Sequence, residues 1–223
     1  MKLKILDILN ANVYLTNILI IPIIILTYLI QKDIKQWKRK DEYTNSSWNL
    51  NHLYEYFWDI YFWITVIAFI LSNMYHLHMF AEFSIWKQIG LLDATFSAPL
   101  NCLILVGLII MYYIYLHNTS EKETNEQKEL KRATVPIYRL GIFFILIGGI
   151  SYILKRIVYN YNYYDSTSAL KTAKDQALWT SGHIFFHYMS YTGGLLIILL
   201  YYIENKDIYR TISEVMNPNN TKD

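Results

Sequence analysis

The chain has 223 residues, of which 54% are hydrophobic and only 17% charged, with a net charge of +2. A soluble domain carries about 25% charge, so this chain cannot clothe a water-exposed surface, and its apolar residues are gathered in long runs that exclude intrinsic disorder. A single cysteine, Cys102, excludes a disulfide framework and a cysteine-based zinc motif, and the near-neutral charge provides no nucleic-acid stripe.

A bilayer-spanning helix needs about 20 mostly apolar residues. The first such run is Val13 to Ile30, preceded by Lys2 and Lys4. It is long and has no small-residue cleavage site behind it, so it reads as a retained span, with Pro22 as a point of kinking. A polar stretch of about 31–55 follows, carrying the basic cluster KDIKQWKRK. The second span is Tyr56 to Met79, and a short connection from Phe80 to Gln88 leads to the third, Ile89 to Leu116. That third run has 28 residues. It would be about 42 Å long as a helix, so one tilted span, or one kinked at Pro99, is expected. A charged loop of about 117–133 precedes the fourth span, Val135 to Leu154. A tyrosine-rich polar connection of about 155–177 precedes the fifth, Leu178 to Ile203, and a polar tail occupies about 205–223.

The expected architecture is therefore all-α: one polytopic membrane helix bundle of about five spans, occupying 1–223 as a single transmembrane domain. Lys and Arg near the spans number 12 on the side of the first loop, third loop and tail, against 7 on the other. The bias puts the C-terminus in the cytosol and the N-terminus outside, in either an endomembrane or the plasma membrane. The Asn-x-Ser/Thr sites at Asn45, Asn118 and Asn219 then lie on the cytosolic side and should be unmodified.

Ionisable side chains inside spans are costly and mark function. This chain has His76, His78, Asp93, His183 and His187. Ser72 and His76 are four residues apart, as are His183 and His187, so each pair shares one helix face. Alternation of the spans brings the end of the second, the start of the third and the start of the fifth to one membrane face. Three imidazoles meeting there suit Zn²⁺, which commonly takes three protein ligands in catalytic sites and leaves a fourth position to water of lowered pKa. A nearby carboxylate can take the proton, and a serine hydroxyl can stabilise a developing oxyanion. The bland readings stand beside this one. A buried histidine, His78 above all, is commonly a structural hydrogen-bonder. A bis-imidazole haem would need facing histidine pairs. Glu82 reads as a surface charge, His52 and His117 as solvated span-end residues, and Asp59, Glu55 and Arg139 as anchors at the opposite interface.

The ordered pattern S-x-x-Y-H (Ser72, Tyr75, His76), LLD (Asp93) and H-x-x-x-H (His183, His187) resembles the CREST superfamily of membrane hydrolases. That superfamily includes the alkaline ceramidases, the progestin and adipoQ receptors, and the branch of myomaker and the GPI-processing phospholipase. The resemblance covers about a quarter of the chain. It implies that His76, His183 and His187 bind zinc, that Asp93 and Ser72 serve catalysis, and that the partner is a membrane lipid cleaved at an amide or ester bond. Members of that family have seven spans; the two missing here would form a hairpin, whose loss preserves the alternation. The myomaker and receptor branches imply an alternative, a non-enzymatic receptor, remodelling or fusogen-like protein with a structural zinc.

Overall fold

A computed structural model describes residues 15–40, 50–81, 98–117, 124–159 and 173–216, with some side chains near helix ends, including those of His76 and His78, outside that description. The described chain is almost entirely helical. A short 3-10 turn, Asn17–Leu19, leads into α1 (Ile20–Lys40), followed by α2 (Leu50–Ala81), α3 (Ala98–His117), α4 (Asn125–Tyr159) and α5 (Ala173–Met216). Five of these helical segments are long and apolar enough to cross a bilayer, at Asn17–Gln36, Tyr54–Met74, Pro99–His117, Asn125–Leu154 and Ser181–Ile208. The protein is a multi-pass membrane protein of the all-α class.

The helices run past the apolar segments that nucleate them. Much of the polar sequence expected as loop or tail is helical: α1 continues through Lys40, α4 begins at Asn125, and α5 reaches Met216. An α-helix satisfies its backbone internally, so its polar ends project from the bilayer without penalty. Pro22 and Pro99, the expected points of kinking, each stand in the first turn of a described helix. Pro99 lies in the first turn of α3, where its missing N–H has no intrahelical partner to lose. Pro22 lies in the first turn of α1, and its ring would collide with the Ile18 carbonyl in a continuous α-helix. The chain enters instead through the 3-10 turn, in which the Ile20 N–H reaches Asn17 O. The proline that does lie within a helix is Pro136, in α4.

Each helix is sorted into an outward and an inward stripe. On α2, Ile60, Trp63, Ile67 and Ile70 are exposed, as are Leu103, Val106 and Ile110 on α3 and Phe143, Leu146, Ile150 and Ile153 on α4. Spacings of three and four place each set on one face, which is the lipid-facing surface. Inward on α2 lie Tyr54, Trp58, Tyr61, Thr65 and Ser72, and on α3 Leu108, Tyr112 and Tyr115. Cys102 is exposed on the outer face of α3.

Helix α5 is the axis of the bundle and packs against every other helix, most extensively against α4. That crossing depends on missing side chains. A Cβ on Gly193 would come within 2.6 Å of Gly141 O, and one on Gly148 within 2.4 Å of Ser190 Oγ and 3.0 Å of Ser190 N. Lipid tails are as apolar as leucine, so helices in a bilayer associate through such close backbone contact and through interhelical hydrogen bonds.

Those hydrogen bonds also fix the alternation. Lys35 Nζ lies 3.0 Å from Asp59 Oδ1, and Gln31 Nε2 donates to the same carboxylate oxygen, so the end of α1 meets the start of α2. Asp59 therefore ties two helices together and is more than an interfacial anchor. Tyr54 OH donates to Asn205 Oδ1 at 3.1 Å, bringing the start of α2 to the far part of α5. Ser151 Oγ reaches Gly182 O at 3.5 Å, placing the end of α4 against the beginning of α5. One end of the bundle therefore collects the start of α1, the end of α2 and the start of α5.

Candidate functional site

The collected end contains a buried polar cluster. His183 and His187 lie one turn apart on α5, with ring centroids 4.4 Å apart. His187 is 5% exposed. Its Nδ1 lies 3.1 Å from Thr16 Oγ1, at the entry to the 3-10 turn. Next to Thr16, Asn17 is fully buried, and its Oδ1 accepts a hydrogen bond of 3.2 Å from Ser72 Oγ on α2. Thus Ser72 of α2 and His187 of α5 are linked through Asn17 and Thr16, adjacent residues that precede α1, and His183 lies beside His187.

An aromatic wall surrounds the imidazoles. Phe186 packs edge-on against His187 at 5.3 Å, Tyr191 does so at 5.1 Å, and Tyr152 of α4 lies 4.9 Å from Phe186.

The donor set suits a divalent metal in part. Among the described residues, His183 and His187 bring two imidazole rings together, and no group of three or more His, Cys, Asp or Glu is assembled. Helix α2 extends through positions 76 and 78, so the backbone of His76 lies one turn beyond Ser72, while its side chain is not described. Asp93, Glu82 and the acceptor sites Asn45, Asn118 and Asn219 lie outside the described residues. The contact with Thr16 bears directly on ligation. If the His187 Nδ1–H donates to the hydroxyl, the lone pair of Nε2 is left for a metal.

Thr16 and Asn17 were not legible as site residues in the sequence. They stand inside the first apolar run, and the available signal was two consecutive polar residues a few positions before a proline. His117, by contrast, is exposed and stacks on Tyr113 at 4.0 Å, in keeping with a span-end role.

A second polar cluster closes the opposite end. Glu204 is 1% exposed and accepts hydrogen bonds from Tyr112 OH at 2.6 Å and Tyr115 OH at 2.5 Å. Glu204 is also the non-helical residue inside α5, with φ −110° and ψ 15°. Lys131 lies over the Tyr115 ring at 4.3 Å, and Gln127 Nε2 donates to Asp207 Oδ1 at 2.8 Å. Its tyrosines and Trp58 pack ring against ring, with Trp58 and Tyr201 centroids 5.3 Å apart, and the Trp58 indole N–H is buried among these rings without a hydrogen-bond partner among the described residues. Glu204 stands between the expected fifth span and the polar tail, and it is buried within the last span.

Comparison of the chain with protein-family models, with curated proteins and with solved structures gave no match.

Proposed function

We propose that the protein is a zinc-dependent integral-membrane hydrolase, related to the CREST superfamily, that cleaves an amide or ester bond of a lipid. The observation that carries this reading is the convergence of Ser72, His183 and His187 at one end of the bundle through Asn17 and Thr16. His76, one turn along α2 from Ser72, would supply the third imidazole. When bound, zinc supplies Lewis-acid polarisation and acidifies water.

The protein's own groups do the rest. Thr16 accepts the His187 Nδ1–H and so orients Nε2 as the metal-facing nitrogen. The hydroxyl of Ser72, which at rest donates to Asn17 Oδ1, turns that one proton to the reacting oxygen as charge develops. Asp93 accepts the proton lost by the attacking water. With the C-terminus in the cytosol, the site faces the non-cytosolic side, near the depth where a lipid head group joins its acyl chain. The exposed apolar stripes beside it are the path by which the tails of a substrate reach the site from the bilayer.

The test is lipid hydrolysis by purified wild type, His183→Ala, His187→Ala, Ser72→Ala and Asp93→Asn. Loss of turnover in all four variants supports catalysis. Full biological function in Ser72→Ala and Asp93→Asn, with loss only in the histidine variants, contradicts it and favours a structural zinc in a receptor or remodelling protein.

A further inference from the structure

The amide of Asn17 is half used. Its Oδ1 accepts from Ser72 Oγ, while its Nδ2 is buried and has no hydrogen-bond partner among the described residues. The side chain is fully buried. A buried donor without an acceptor costs about 1–3 kcal/mol, which an apolar residue of similar shape would avoid. The position is otherwise easy to fill with a hydrophobic residue, since it lies in an apolar run. Retaining an amide here makes sense where an incoming ligand brings the acceptor.

We infer that Asn17 Nδ2 is the donor that holds the carbonyl oxygen of the bound acyl group, so the site selects lipids with an amide or ester carbonyl over ether-linked ones. This rests on the hydrolase reading. The chemistry follows from three features. A neutral N–H donor takes an oxygen acceptor and repels a cation. The Ser72 hydroxyl donates to the Oδ1 of the same amide, which holds the amide in place and leaves Nδ2 as the unused donor. The neighbour of Asn17 in the chain, Thr16, holds His187, which ties the amide to the imidazole pair. A carbonyl held by a pre-placed donor such as Nδ2 needs no rearrangement of that donor as negative charge builds on its oxygen.

The probe is a long-chain methyl ketone, isotopically labelled at its carbonyl, which presents the acceptor but cannot be hydrolysed. It is bound to metal-free protein in detergent, and its carbonyl stretch is read by infrared difference spectroscopy. In wild type the stretch should fall below its value in empty micelles. In Asn17→Leu it should return to the micelle value. Asn17→Asp, which keeps an acceptor for Ser72 but has no N–H, should behave like Asn17→Leu and so separates donor loss from misfolding. In zinc-loaded protein, both variants should retain zinc and lose about 100-fold in kcat for a fatty-acyl ester, as for removal of one oxyanion donor. No shift in wild type, or an equal shift in wild type and both variants, overturns the inference. A wild type that holds no zinc and cleaves no lipid, yet loses the ketone shift in Asn17→Leu, defeats the hydrolase reading while leaving the donor in place.

Discussion

The Thr16 hydroxyl lies 3.1 Å from Nδ1 of His187, linking residues 171 positions apart in the chain. Such a partner fixes both the orientation of an imidazole and the nitrogen it offers, and loss of it typically costs 10–100-fold in metal affinity. Thr16→Val keeps the shape and removes the hydroxyl. We expect it to weaken zinc binding by about 10–100-fold with unchanged helicity, as measured by competition with a chelator. Thr16→Ser should retain most of the affinity. Equal affinity in wild type and Thr16→Val would mean that the contact only packs the helices.

The crossing of α4 and α5 sets where His183 and His187 stand. Gly193→Ala would force a Cβ to 2.6 Å from Gly141 O, a backbone atom that cannot step aside alone. Overpacking of this kind costs about 1–3 kcal/mol, so the variant should melt at a lower temperature in detergent. Gly149 is the internal control, because nothing lies within 4 Å of a Cβ placed there. Gly149→Ala should be neutral or slightly stabilising, by the helix preference of about 0.5–1 kcal/mol for alanine over glycine. Equal melting temperatures for the two variants would show that the helices are not in close contact.

At the other end of the bundle, Tyr112→Phe and Tyr115→Phe each remove one donor from the buried Glu204 carboxylate. A buried acceptor left short of a donor costs about 1–3 kcal/mol, so each variant should lower thermal stability by that order. Zinc content should be unchanged, since the Glu204 cluster and the histidines lie at opposite ends of α5. Trp58→Ala should cost more, about 3–5 kcal/mol, because it empties the centre of the aromatic cluster. Loss of zinc in the tyrosine variants would mean that the two ends are coupled through α5.

Orientation is tested by glycan addition. With the C-terminus cytosolic, Asn45, Asn118 and Asn219 should all remain unmodified when the protein is made in a glycosylating secretory system. The measurement is a mobility shift on glycosidase treatment. Modification at any of the three would invert the proposed topology.

The spans were legible because a bilayer demands unbroken apolar runs, and those runs are the five segments that cross it. Their ends were not, because charged residues cost nothing once a helix has left the hydrocarbon. Ser72, His183 and His187 stood out as polar groups at helical spacing in apolar surroundings. Thr16 and Asn17 did not, since their importance comes from a partner helix that no local pattern specifies. Glu204 was missed for a related reason. At a span boundary a carboxylate reads as the first solvated residue, and only the tyrosines of α3, about ninety positions earlier, turn it inward.

The most direct test of the account is metal analysis of purified wild type beside His187→Ala and His76→Ala, by mass spectrometry on protein of known concentration. The account predicts about one zinc per chain in wild type and a loss in both variants, since a three-ligand site cannot spare one. Zinc absent from wild type, or retained equally in the two variants, would contradict it.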